Sequence, residues 1–193
     1  MASLIRRVEL RSICSWTSRR TARGTFAAES IFISHQLTAW RSALPAILQA
    51  LKPLRDAGYL TTYYSNGTLV SSAVTVIGTG NSPLDLVQAL DPRDYFFDGP
   101  LANITGDFKP TLSPIASTDY EVAVGWNGAG TIPDNKLATL KQLINNAHTM
   151  GIQARFWDTP GWPVSARNNV WKVLLENGVD WLNADDVKAA SEF

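Results

Sequence analysis

Twice in the last third of the chain, a helix with a single apolar stripe runs into a glycine and then directly into a short strand. Leu137, Leu140, Ile144 and Ala147 recur at helical spacing, Gly151 ends that pattern, and Ile152 to Phe156 reads as a strand. Arg167 to Asn177 then repeats the arrangement, with Val170, Trp171, Leu174 and Leu175 on one face, Gly178 as the stop, and a strand from Val179 to Asn183. Strands joined by single helices must run parallel, because a crossover helix returns the chain to the same end of the sheet. The fold class is therefore α/β. Earlier segments have the same elements in looser form. Leu44, Ile47, Leu48, Leu51 and Leu54 make a helical stripe ending at Gly58, and Ala73 to Ile77 reads as a strand. Pro83 to Leu90 reads as a short helix and Tyr95 to Phe97 as another strand, after which KPTLSPIAST reads as a Pro/Ser-rich connector. This gives four or five strands, and in parallel sheets ligands meet the carboxyl ends of the strands.

With 45% hydrophobic residues and seven Trp among 193 residues, the chain has material for one substantial core. Basic and acidic side chains balance at 17 each, so no global field favours nucleic acid or an anionic surface. The balance is uneven along the chain: residues 1–42 carry seven Arg against Glu9 and Glu29. That segment, rich in Arg and Ser, has the composition of a mitochondrial presequence and is set apart from residues 43–193. Cys14 is alone, which excludes an internal disulfide, and His35 and His148 are the only histidines, which excludes a zinc cluster. No apolar run approaches the ~18 residues that a membrane-spanning helix needs.

Three local patterns carry chemistry. The stretch VTVIGTGN, with Asp98 about twenty residues on, has the outline of a dinucleotide turn, but Pro83 stands where the third glycine should be, and a tight strand-to-helix turn explains Gly78 and Gly80 as well. A small dinucleotide-binding protein stays open as an alternative reading, as does a non-enzymatic mitochondrial or interaction scaffold. FWDTPGW and LNADD follow the last two strands, so Trp157, Asp158, Asn183, Asp185 and Asp186 all lie at carboxyl ends, with helix capping as the competing reading for Asp186. Asn66-Gly-Thr68 and Asn103-Ile-Thr105 fit the N-glycosylation pattern, which matters only in the secretory pathway.

On FWDTP, LNADD, LKPLRDAGYLTTY and VTVIGTGN, the chain from about residue 43 to 193 resembles the fungal altered inheritance of mitochondria protein 6 family, within the phospholipase C-like phosphodiesterases. The resemblance implies the C-terminal half of an incomplete (β/α)₈ TIM-type barrel. It also implies a parent family that hydrolyses lipid or glycerol phosphodiesters with a divalent metal, magnesium or calcium. The carboxylate and histidine elements that hold the metal in such families have no counterpart here: Glu-x-Asp is absent and His35 lacks the Asn-Asp that should follow. No catalytic residue is therefore assigned, no metal is expected on this chain, and the truncated chain is expected to be inactive. The resemblance carries over Trp157, as a wall of the substrate mouth, and Asn183, whose amide would hydrogen-bond a phosphate oxygen or a metal-bound water. Asp158 and Asp185, each just after a strand, are counted with them as substrate-binding candidates. The implied partner is a phosphodiester or lipid headgroup, and a sheet cut from a barrel is expected to self-associate through its open edges.

Overall fold

The computed structural model describes residues 40–193. The expectations for the basic segment fall outside them except at residues 40–42, and those for Cys14 and His35 fall outside them entirely. The chain divides into two compact units between Phe96 and Phe97.

The first unit opens with two helices, α1 over residues 40–50 and α2 (Lys52–Asp56), where the sequence suggests one. Pro53, in the first turn of α2, has no N–H to donate to the preceding turn, so the stripe is interrupted at Leu51. Leu44 and Leu51 are buried, whereas Leu54 is exposed. A two-stranded hairpin that the sequence reading missed follows, β1 (Thr62–Tyr63) antiparallel to β2 (Leu69–Val70). Its turn is closed by Asn66, whose Oδ1 accepts the Thr68 N–H. Strand β3 (Val76–Gly78) lies later than expected, because Val74 instead forms a bridge to Leu60. The short helix α3 (Leu84–Gln88) comes next, and β4 begins at Tyr95.

The second unit holds β4 (Tyr95–Pro100) from Phe97 onward, β5 (Ile115–Asp119), the one-turn α4 (Tyr120–Ala123) and α5 (Asp134–Thr149). It continues through β6 (Gln153–Trp157), α6 (Val164–Glu176), β7 (Trp181–Leu182) and α7 (Val187–Ser191). The order β3-β4-β5-β6-β7 makes one five-stranded sheet, and the pairs from β4 to β7 are all parallel. This is the α/β class read from the sequence, with one correction: the supposed connector KPTLSPIAST contains β5, the central strand. Ser117 and Asp119 hid it, since a strand with small polar residues on one face lacks the β-branched density that marks a strand in sequence.

One face of this sheet is apolar. Ala116, Ala154 and Phe156 are fully buried in a core that includes Leu140, Ile144 and Ala147 of α5 and Val170 and Leu174 of α6. Phe156 meets Tyr120 edge to face at a centroid distance of 6.3 Å. Burying each of the larger side chains among these contributes about 1.5–3 kcal/mol, and truncating Leu140 or Leu174 to Ala would cost about 2–5 kcal/mol. The stripe on α6 needs a correction: Leu175, read as part of it, is 47% exposed, because the buried positions are Ala166, Val170, Trp171 and Leu174. Both long helices end as expected, with Gly151 and Gly178 at φ +71° and +85°, a conformation that costs a residue with a Cβ about 1 kcal/mol.

Candidate functional site

Side chains alternate along a strand, so the residues between Ala116, Ala154 and Phe156 point away from α5 and α6. On that opposite face stand Asp98 of β4, Ser117 and Asp119 of β5, Arg155 and Trp157 of β6, and Asn183 just past β7. The register sets their levels. Ser117 is opposite Arg155, Asp119 is opposite Trp157, and Asp98 lies deeper, opposite Ile115.

Arg155 is the hub of this face. Its Nη2 donates to Oδ1 of Asn183 at 2.5 Å and its Nη1 to Oγ of Ser117 at 3.5 Å. Oδ2 of Asp98 lies 3.9 Å from Nη1, at the margin of an ion pair. The Asp98 side chain is 7% exposed and that of Arg155 is 17% exposed. Oδ1 of Asp98 is buried with no hydrogen-bond partner among the described residues. Burial pushes the Asp98 carboxyl up to about 6, against the opposing pull of the Ser117 hydroxyl and the Arg155 charge. A buried oxygen without a partner costs about 1–3 kcal/mol, so this arrangement is not one that maximises stability.

The expected residues surround this hub in part. Asn183 is bonded directly to Arg155. Trp157 follows Arg155 on the same face and is 42% exposed, and Trp162 in the next loop is 81% exposed. Asp158 is the one described non-glycine residue with positive φ, at 56°, a region that Asp tolerates better than most side chains. There it turns the chain sharply out of β6. Asp185 is exposed between β7 and α7. Asp186 has the capping role that competed in the sequence reading: its Oδ1 accepts the Ala189 N–H at 3.0 Å. Its Oδ2 takes Nη1 of Arg167, also at 3.0 Å, and these bonds hold its carboxyl below the usual range. Arg167 in turn lies over the Trp171 ring, 4.4 Å from the centroid. His148 is likewise structural: its Nε2 sits 2.8 Å from Oδ2 of Asp180, which also accepts the Ala154 N–H.

Sequence reasoning missed Asp98, Ser117 and Arg155 as members of one site. A signal existed in QARFW: a strand that places Arg between Ala and Phe puts a charge on the face opposite two apolar residues. Among the described residues no three His, Cys, Asp or Glu side chains converge as metal ligands would. The neighbour of Asp98 on this face is a guanidinium, which repels a cation. The described residues therefore do not fit the divalent metal implied by the family resemblance.

Comparison with known proteins agrees with the motifs. The AIM6-like phosphodiesterase domain model matches residues 17–98. The altered inheritance of mitochondria protein 6 homolog of Arthroderma benhamiae is 45% identical over 154 residues, covering 78% of this chain and 49% of the relative. The Eremothecium gossypii protein of that name is 35% identical over 76% of this chain and 41% of its own length. The Saccharomyces cerevisiae protein is 28% identical over 74% of this chain and 42% of its own. The chain thus spans about half the length or less of these curated relatives. No solved structure matches it significantly.

Proposed function

Because the chain belongs to the altered inheritance of mitochondria protein 6 family, with its AIM6-like phosphodiesterase domain, we propose that its polar sheet face is the phosphate-binding wall of a phosphodiesterase. The observation that carries the reading is the Arg155–Asn183 bond at the carboxyl end of a parallel sheet. Arg155 supplies positive charge to a phosphate oxygen, and its fork geometry suits that anion. Asn183 fixes the guanidinium through Oδ1, which leaves its NH₂ as a donor to a second phosphate oxygen. Trp157 and the exposed Trp162 offer apolar and π surface for the part of a substrate beyond its phosphate. Lipid and glycerol phosphodiesters, charged at one centre and uncharged or apolar around it, fit such a wall.

The proposed role is binding and orientation. Hydrolysis also needs an activated water and a stabilised leaving oxygen, and the described residues present no converging base or metal ligands for those steps. Catalysis belongs, on this reading, to the longer relatives, about half of whose length the chain spans.

Titration calorimetry with dimethyl phosphate tests the wall. The chain should bind it, and Arg155→Ala should weaken binding roughly tenfold to a hundredfold, the usual worth of a hydrogen bond to a charged group. Equal affinity in the variant would remove Arg155 from the site. Bis(4-nitrophenyl) phosphate should be bound but not turned over, and release of nitrophenol above the blank would show that the chain carries its own catalytic groups.

A further inference from the structure

We propose that Asn66 is an acceptor for an N-linked glycan and that the β1–β2 hairpin holds the first sugar of that glycan against the ring of Tyr64. The site lies in the first unit and does not depend on the phosphodiester reading of the polar wall.

The acceptor triplet Asn66-Gly67-Thr68 is the tip of the hairpin, and all three residues are exposed. The Gly67 N–H donates to the Tyr64 carbonyl at 2.9 Å and closes a four-residue turn. Gly67 then takes φ +90°, and the Tyr64 N–H donates to the Thr68 carbonyl at 2.9 Å. This is a turn with a glycine bulge, a common way to close a hairpin. Thr62 is opposite Val70 and Tyr63 opposite Leu69, so Tyr64 and Thr68 form the next pair and share one face. Asn66 is held beside them, because its Oδ1 accepts the Thr68 N–H at 3.0 Å. That bond uses the amide oxygen and leaves Nδ2, the atom that takes a sugar, without a partner among the described residues.

Tyr64 supplies what a bare acceptor triplet lacks. Its neighbour Tyr63 has the Arg93 guanidinium over its ring at 5.4 Å, whereas Tyr64 is 41% exposed and no described ring or cation covers it. One face of an N-acetylglucosamine ring is a row of axial C–H bonds, and the negative face of an aromatic ring attracts such weakly positive hydrogens. The bulge brings Tyr64, two residues before the acceptor, across from Thr68, two residues after it, so a sugar on Nδ2 lies over that pair. The triplet Asn103-Ile104-Thr105 has no such cradle. Asn103 ends a one-turn 3₁₀ helix, Ile104 packs on the core of the second unit, and Leu101, two residues before the acceptor, is fully buried.

In the transfer, Nδ2 of Asn66 bonds to C1 of an oligosaccharide carried on a polyprenyl diphosphate. The C1–O bond to the diphosphate breaks, the lipid diphosphate leaves with the bonding pair, and Nδ2 gives up one proton. The transferase of the secretory lumen catalyses the step, and the chain contributes the amide and the Thr68 hydroxyl that the pattern requires.

To test this, the full chain is secreted from a fungal expression host behind a cleavable leader, and its tryptic glycopeptides are weighed. The two triplets lie on opposite sides of Arg93, so each is read separately. Asn66 should carry a glycan, and Thr68→Ala should lose it with Asn66 still in place. An endoglycosidase that leaves one N-acetylglucosamine preserves the sugar that Tyr64 contacts. In the trimmed chain, the C–H protons on the packed face of that sugar should resonate upfield of their positions in free N-acetylglucosaminyl-asparagine, and Tyr64→Thr should abolish the shift. An unmodified Asn66 would overturn the acceptor. Sugar resonances at the positions of the free conjugate, or unchanged by Tyr64→Thr, would overturn the cradle.

Discussion

The hydroxyl of Tyr95 occupies the space over Gly78: a Cβ placed on that glycine would lie 2.0 Å from the Tyr95 oxygen and 2.5 Å from the Ser82 hydroxyl. Gly78, the first glycine of the stretch that suggested a pyrophosphate turn, is therefore required by a buried tyrosine, while Gly80 stands in open space. Gly78→Ala should cost about 1–3 kcal/mol in chemical denaturation, the usual penalty for overpacking. Adding Tyr95→Phe should recover part of that cost, because the ring carbon beneath the hydroxyl still crowds the new methyl group. Purely additive effects would show that the clash is relieved elsewhere.

Asp94 is buried, with its side chain 3% exposed, and Arg55 is its counter-charge, with Nη2 donating to Oδ1 at 2.9 Å. Removing the cation leaves an uncompensated buried carboxylate, whereas replacing the acid leaves a solvated Arg. Arg55→Ala should therefore destabilise the chain by about 3 kcal/mol, and more than Asp94→Asn does. Equal or reversed costs would mean that water reaches Asp94 once Arg55 is gone.

The raised carboxyl of Asp98 also makes stability depend on pH, in the direction opposite to that of an ion-paired aspartate. An acid that titrates at about 6 when folded and near 4 when unfolded binds more protons in the folded state between those values. Its contribution is favourable at and below about pH 4 and is lost as pH rises through about 6, an effect of up to roughly 3 kcal/mol. Asp98→Asn should remove that slope, so the variant gains on the unsubstituted chain as pH rises from 4.5 to 7.5. Parallel urea-denaturation profiles across that range would count against it.

Asn183→Ala should lower dimethyl phosphate affinity by about tenfold, since it removes both the anchor of Arg155 and a donor of its own. Melting temperature should hardly move, because the residue follows β7 and is not part of the apolar core. Trp157→Phe should keep the affinity but abolish the intrinsic fluorescence change on binding a larger glycerophosphodiester. A fluorescence response that survives would assign it to another tryptophan.

Strand β7 closes the sheet order with only two register pairs to β6, and the described residues add no strand on its far side. Such an edge, with exposed Val187 and Phe193 in the segment after it, favours association. Light scattering at low micromolar concentration is expected to find dimers or larger species. A monodisperse monomer with one cooperative melting transition would mean that the sheet is self-sufficient.

What the sequence disclosed follows from the kind of signal each element carries. The stripes on α5 and α6 were legible because Leu140, Ile144, Val170 and Leu174 face one continuous core, and a helix has to present such a stripe to reach it. Leu175 misled because an apolar residue beside a stripe looks the same in sequence whether it is inside or at the rim. β5 was illegible because its polar face holds Ser117 and Asp119, and Asn183 was found only through the LNADD resemblance. Arg155 and Asp98 are far apart in sequence and become neighbours only through the β4–β5–β6 register, which local pattern does not encode.

The order of that register has a further consequence, in time. From β4 to β7 every pairing joins strands that are consecutive along the chain, so no strand waits for a distant one. Each strand and its following helix can dock on an edge already built, and the loops to be closed stay short. A ribosome releasing this chain from the N-terminus would deliver the units in the order in which they stack. The polar wall is then finished late, because Asn183 can reach Arg155 only after the segment that follows β7 has emerged.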